Sequence, residues 1–150
     1  MELVYEFTMS AELAPSTPVG LGPFGERRIR KVLSGKVSGE RIHGTVDTGG
    51  GDWILTGPDG YGRLDVRLTI ITDNGAHLYV QYFGVIEYNE ASLAANAGQR
   101  SSDYSEHYFR TAPRLETGDE RYGWVNRTLF LGEGRLHPGP IVEYRVYRVT

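Results

Sequence analysis

The chain contains no cysteine, and this absence excludes several chemistries at once. Disulfide bonds, thiolate nucleophiles, iron–sulfur clusters and zinc sites with cysteine ligands are all ruled out. No apolar run approaches the length that crosses a bilayer. Residues 1–7 alternate acidic and apolar positions, unlike the basic and then apolar regions of a signal peptide. We therefore expect a cytoplasmic protein without a membrane partner.

Positive charge is also in short supply, with a formal net charge of −3 and a pI near 5.8. The basic residues are spread along the sequence, so we expect no nucleic-acid partner. All but two of the 16 basic residues are arginine. Arginine suits planar recognition of carboxylates, although a genome rich in GC produces the same bias.

Recognisable metal, cofactor and nucleophile motifs are missing. The four histidines lie far apart without H-x-H or H-E-x-x-H spacing, so no metal site is predicted. No Walker motif is present, and we expect no cofactor. The G-x-S-x-G elbow of serine hydrolases is absent as well.

The sequence does contain 20 glycines and 10 tyrosines, in short runs where apolar and polar residues alternate. Such runs, bounded by turn signals, predict an all-β chain. The strands are predicted at residues 3–10, 26–33, 35–37 continuing through 42–48, 53–56, 62–72, 76–87, 107–112, 122–132 and 141–150. Only residues 89–97 resemble a helix, with Asn89 as its cap and Gly98 as its end.

Two turns fix the connectivity of the central strands. Pro58-Asp59-Gly60 and Asp73-Asn74-Gly75 are typical of tight hairpins, because Asn and Gly tolerate positive φ. They connect three strands into a meander. So many antiparallel strands leave two exposed edges unless the sheet closes. We predict a single domain over residues 1–150, a closed or nearly closed lipocalin-like β-barrel with at most one short helix.

Polar and aromatic side chains recur where a core would require aliphatic ones. Along Leu64–Ile71, Asp65, Arg67 and Thr69 share one strand face and aliphatic residues share the other. A solvated outer face is one interpretation, and the polar lumen of a ligand-binding barrel is the other. The triple glycine before Asp52 favours a turn or bulge over a phosphate cradle.

On the pocket interpretation, the residues receive roles in acid-base chemistry. Asp52 or Asp65 would accept a proton, arginines would anchor an anion, and Tyr108, Tyr122 and Asn126 would polarise an oxygen. Two alternatives stay open, an ion pair of Arg110 with Asp52 or Asp65 and core filling by Trp124. The catalytic candidates are Asp52, Asp65 and Tyr108, and the binding candidates are Trp53, Arg67, Arg110, Tyr122, Trp124 and Asn126.

Several short motifs give the chain a family resemblance. They are Gly25-Glu-Arg-Arg28, Gly44-Thr-Val46, Gly49-Gly-Gly-Asp-Trp53, Leu64-Asp-Val-Arg67, Thr72-Asp-Asn-Gly-Ala76, Tyr108-Phe-Arg-Thr111, Tyr122-Gly-Trp-Val-Asn126 and Val146-Tyr-Arg-Val149. Over nearly its whole length the chain resembles the domain of unknown function 3237, also called uncharacterised protein family 0311. The resemblance implies a small antiparallel β-barrel and carries no established activity. Gly51 and Leu68 depart from the residues that are frequent in the family pattern.

Two functions fit this pattern. The first is a cofactor-free enzyme that isomerises, dehydrates or cyclises a small carbonyl- or carboxylate-bearing metabolite. The second is a lipocalin-like carrier or sensor of such a ligand. Apolar residues on both faces of the strand at 76–87, such as Val80 and Phe83, exceed what one lumen hides, so we also predict a homodimer.

Overall fold

The computed structural model describes residues 1–150 and contains ten strands, one α-helix and one 3-10 helix. The strands are β1 (Leu3–Leu13), β2 (Thr17–Gly22), β3 (Gly25–Gly39), β4 (Gly44–Val46), β5 (Gly51–Thr56), β6 (Tyr61–Thr72), β7 (His77–Glu87), β8 (Phe109–Glu116), β9 (Phe130–His137) and β10 (Ile141–Val149). Helix α1 covers Glu90–Asn96 and the 3-10 helix covers Glu120–Arg127. Neither helix is long and apolar enough to cross a bilayer.

The strands close into an eight-stranded antiparallel barrel, which confirms the predicted fold. The order runs from β1 through β10, β9, β8, β7 and β6 to β4 and β5, then to β3, which pairs again with β1. Both β4 and β5 pair with β3 on one side and β6 on the other, so together they occupy one interrupted position of the barrel. Strand β2 pairs only with β3.

Glycines shape the turns at the places that the sequence indicates. Gly60 and Gly75 have φ of 80° and 88° in the two hairpins on either side of β6, as predicted. The interruption between β4 and β5 contains Gly49 with φ of 99°. At Gly50 an added Cβ would lie 2.6 Å from the Arg67 carbonyl oxygen, so only glycine allows β6 this close. The triple glycine is therefore a turn and a close backbone approach.

The aliphatic faces of the strands point into the barrel. Leu64, Val66, Leu68 and Ile70 on β6 are buried, whereas Arg67 between them is exposed. Burying each such side chain contributes about 1.5–3 kcal/mol relative to leaving it in water, which determines the face that turns inward. The expectation that the polar face of β6 lines the lumen was therefore wrong.

One end of the barrel is closed by the 3-10 helix, where the sequence analysis predicted a strand at 122–132. Asp119 caps this helix by accepting a hydrogen bond from the Arg121 amide. Tyr122 and Val125 are buried against the barrel end. The 3-10 helix is the second helix of the chain, whereas the sequence analysis expected at most one helix. The strand that follows it begins only at Phe130.

Helix α1 lies at the opposite, open end and confirms the predicted helix. Asn89 accepts a hydrogen bond from the Ser92 amide, and the Ser92 hydroxyl accepts one from the Asn89 amide, which forms a capping box. Gly98, with φ of 75°, follows the last turn. Through Asn96 the helix contributes to the mouth of an internal cavity.

Candidate functional site

The lumen contains a cavity that opens beside α1 and the turn between β9 and β10. The space that it offers to the centres of water-sized molecules is about 60 Å³, and 15 of its 21 lining residues are hydrophobic. The apolar walls include Val32, Ile54, Leu64, Val66 and Phe109. A concave apolar space with a few inward polar groups is the usual form of a small-molecule site.

Asp52 is the carboxylate in this cavity. It lies on β5 directly opposite Arg30 of β3 and Val66 of β6, so all three share the inner face. Its Oδ1 accepts a hydrogen bond from the Asp65 amide at 3.2 Å. Burial raises the pKa of Asp52 to about 7, the nearby Asp65 carboxylate adds to this rise, and that hydrogen bond and the charge of Arg30 oppose it.

Two arginines face Asp52 from the neighbouring strand. Arg28 and Arg30 are two residues apart on β3 and therefore share its inner face. Burial and the charge of Arg28 lower the pKa of Arg30 from its ordinary value. Neither guanidinium forms an ion pair within 4.0 Å with any carboxylate. The lumen therefore has two guanidinium groups on one wall that form no direct ion pair.

Three tyrosines complete the polar part of the cavity. Tyr82 on β7 and Tyr144 on β10 are buried edge to face, with ring centroids 5.4 Å apart. Tyr88 lies nearer the mouth, with its hydroxyl 3.5 Å from Arg28 Nη2. Burial raises the pKa of all three phenols, and the charge of Asp52 raises each further. The phenols are therefore neutral hydrogen-bond donors at physiological pH.

Five of the predicted site residues lie together, but on the outside of the barrel. Trp53, Asp65, Arg67, Tyr108 and Arg110 occupy outward positions on or beside β5, β6 and β8. Arg110 donates to the Phe109 carbonyl at 2.9 Å and forms no ion pair with Asp52 or Asp65. Alternation correctly grouped them on one face, and barrel closure turned that face outward.

Three further predicted residues belong to the closed end. The Tyr122 hydroxyl donates to Asn74 Oδ1 at 2.8 Å, and the Arg41 guanidinium lies 3.7 Å from the Trp124 ring centroid. Asn126 exchanges two hydrogen bonds with the Thr117 backbone. Trp124 also packs against the core, which favours the core-filling alternative. Of the predicted site, only Asp52 lines the cavity.

The inward polar residues that the sequence analysis missed had one recognisable signal. Tyr82 interrupts the otherwise aliphatic face formed by Leu78, Val80 and Ile86, and Tyr144 does the same between Val142 and Val146. A polar-tipped residue on an aliphatic face points into a barrel, because that face forms the core. Arg28 and Arg30 gave no comparable signal, since basic residues fill both faces of that segment.

No group of three or more histidine, aspartate or glutamate side chains is arranged to hold a metal ion. The cavity instead combines one carboxyl group, two guanidinium groups and three phenols within apolar walls. This set of groups can bind an anion, move a proton and donate hydrogen bonds to an oxygen.

Several proteins resemble this chain along nearly all of its length. A UPF0311 protein of Rhodopseudomonas palustris is 34% identical over 143 residues, which cover 95% of this chain and 93% of that protein. Another, from Clostridium acetobutylicum, is 32% identical over 133 residues, covering 87% of this chain and 84% of that protein.

Solved structures also resemble this chain along nearly all of its length. A conserved protein of unknown function from R. palustris superposes with a TM-score of 0.90 at 34% identity, covering 99% of this chain and 97% of its own. A β-barrel like protein from Acinetobacter baumannii has a TM-score of 0.83 at 26% identity, with 99% and 96% covered. An enzyme from Penicillium herquei, with a TM-score of 0.68 at 21% identity and the same coverage, shares the fold.

A family model assigns the whole barrel to one group of proteins. The model is described as protein of unknown function (DUF3237), and it matches residues 1–149. Together with the 34% identical relative, this match shows that the chain belongs to the DUF3237 family, whose curated relatives carry the name UPF0311.

Proposed function

We propose that the barrel binds a small, largely apolar molecule in its lumen and moves a proton within it without a cofactor. The observation that carries this proposal is the buried carboxyl of Asp52, whose pKa is raised to about 7. A general base works best when its pKa lies near the working pH, because a substantial fraction of it is then unprotonated and still accepts a proton readily. Isomerisation, dehydration and cyclisation are reactions of this kind.

The surrounding groups support each part of such a reaction. When Asp52 takes a proton from the substrate, negative charge develops on a substrate oxygen. The neutral phenols of Tyr82 and Tyr144 donate hydrogen bonds to that oxygen, and Arg30 stabilises its charge. Asp52 then returns the proton to another atom of the substrate, so that the enzyme is restored. The fold is compatible with catalysis, since the P. herquei structure is that of an enzyme.

A lipocalin-like carrier or sensor is the second candidate, favoured by the predominance of hydrophobic residues in the cavity wall. Such a lumen retains an apolar ligand through burial alone. The two candidates use the same cavity and differ in whether Asp52 reacts.

Mass spectrometry of a copurifying or thermally stabilising ligand distinguishes them. For an enzyme, the compound is converted, and Asp52→Asn lowers turnover by about 10²–10⁴-fold while binding persists. Asp59→Asn, in the exposed turn before β6, serves as the matched control and retains activity. An unchanged ligand with the wild-type protein, or full activity of Asp52→Asn, contradicts the enzymatic proposal.

We propose further that the chain forms a homodimer through the outer face of β5, β6 and β7. Trp53, Asp65 and Phe83 occupy one row across this face, and the two aromatic side chains are 37% and 65% exposed. The Asp65 Oδ1 atom is buried without a hydrogen-bond partner, and Arg67 beside it is exposed. In a two-fold arrangement Asp65 can meet Arg67 of a second copy.

The cytoplasmic location remains a prediction.

A further inference from the structure

Two guanidinium groups line the cavity without an ion pair to any acid of the protein. They belong to Arg28 and Arg30, and Arg28 Nε is a buried donor that forms no hydrogen bond. Buried polar groups are nearly always paired, because an unpaired one has lost its hydrogen bonds to water without gaining another. The two guanidinium groups thus adjoin the space that a ligand would occupy.

We infer that Arg28 and Arg30 form a subsite for the carboxylate of an organic acid. This inference rests on the proposed function and narrows its substrate to a molecule with a carboxylate and an apolar body. A carboxylate accepts hydrogen bonds at both oxygens and matches the planar arrangement of guanidinium donors. The carboxylate pairs with the Arg28 guanidinium, and the charge of Arg30 lies one alternate position further along β3.

The absence of a protein partner supports a ligand-binding role over a structural one. An arginine that holds strands together is normally paired with an acid, as Arg41 is with the buried Glu6 at 2.7 Å in this chain. Arg28 has only the Tyr88 hydroxyl, at 3.5 Å from Nη2. Two guanidinium groups that form no direct ion pair on one strand face repel each other, and an incoming anion reduces this repulsion.

The strand register determines the order of groups along the cavity. The strand positions begin at the mouth with Thr56, continue with Arg28 opposite Ile54, and reach Arg30 opposite Asp52 deeper inside. The carboxylate therefore lies toward the mouth. The reactive part of the substrate points inward, to Asp52 and Tyr82, between the side chains of Val66 and Leu68.

The test compares octanoate with 1-octanol as probes of equal chain length, using calorimetry on the full chain. Octanoate is expected to bind the wild-type protein at least about tenfold more tightly than 1-octanol, as hydrogen bonds to a charged group imply. Arg28→Met removes this preference without weakening the binding of 1-octanol. Arg67→Met, which changes an outward arginine, leaves it intact.

Equal affinity for the two probes in the wild-type protein, or an octanoate preference that survives Arg28→Met, overturns the subsite. If the methionine variant fails to fold, Arg28→Lys replaces it, because lysine keeps the charge and removes the Nε donor. Arg28→Lys is expected to retain only part of the preference for octanoate over 1-octanol. Asp52→Asn separates this inference from the proposed function. That variant binds octanoate at least as well as the wild type if the subsite is correct, whether or not Asp52 transfers protons.

Discussion

Asp52 and Asp65 lie on opposite sides of the barrel wall, although one hydrogen bond connects them. The amide of Asp65 donates to Asp52 Oδ1 at 3.2 Å. Asp52 points into the apolar lumen, whereas Asp65 lies between Trp53 and Phe83 on the outer face. Both residues are aspartates, so residue type alone does not determine which of them acts in the cavity. Burial in the lumen gives Asp52 its raised pKa.

Replacing Asp52 by Asn is expected to stabilise the protein relative to the wild type. The gain grows as the pH rises from about 4 to 7 and then persists. The pKa is about 7 in the folded protein against 3.8 in the reference state, so folding favours the protonated carboxyl. The wild type therefore loses stability as the pH rises from about 4 to 7, by up to about 4 kcal/mol. Over this range the melting temperature of Asp52→Asn rises relative to that of the wild type, and the difference is constant above pH 7.

Asp59 is the matched control for this titration. Its exposed carboxyl bonds to Arg63, which lowers the pKa to about 2. Asp59→Asn therefore produces no relative gain between pH 4 and 7. If the difference between Asp52→Asn and the wild type does not change with pH in this window, the raised pKa of Asp52 is contradicted.

At the scale of elements, the 3-10 helix closes the barrel by a few directed contacts. Asn126 holds the end of β8 through the Thr117 amide and carbonyl at 2.8 and 2.9 Å. Asn126→Ala is expected to lower stability by about 1 kcal/mol in chemical denaturation, because two hydrogen bonds to Thr117 are lost at an exposed position where water replaces part of them. Octanoate affinity should be unchanged, since Asn126 lies outside the cavity. A loss of binding without a loss of stability would restore Asn126 to the site.

Local sequence signals predicted those elements that depend on local geometry. The hairpins at Gly60 and Gly75 and the helix at 90–96 followed from positive φ and capping residues. The 3-10 helix escaped prediction because Tyr122, Trp124 and Asn126 alternate like a strand. Its conformation depends instead on contacts with Thr117, just before the helix, and with Asn74, which is distant in sequence.

The candidate site was less predictable than the fold, for a related reason. Alternation shows which residues share a strand face, as it did for Asp65 and Arg67, but not which face turns inward. Closure of the barrel decides this, because the lumen is also the core and takes the aliphatic face. The cavity residues Arg28 and Tyr144 come from opposite ends of the chain, and only the closed sheet brings them to one space.

At the scale of the whole molecule, the exposed aromatic row on the outer face predicts the oligomeric state. Light scattering at micromolar concentration is expected to give the mass of a dimer. Phe83→Arg should shift it to the monomer of 16.7 kDa, because it places a charge at the centre of the proposed interface. Leu129→Arg alters a side chain that is 75% exposed near the closed end and should leave the dimer intact. A monomeric wild type contradicts the proposed interface.

The most direct test of the account is the titration of the Asp52 carboxyl by ¹³C NMR in the folded protein. The assignment of the resonance comes from comparison with Asp52→Asn. The account predicts a midpoint near pH 7, which places a proton acceptor of suitable strength inside the apolar lumen. A midpoint below about pH 5, in the range of ordinary aspartates, would show that Asp52 is not poised for proton transfer and would contradict the proposed chemistry.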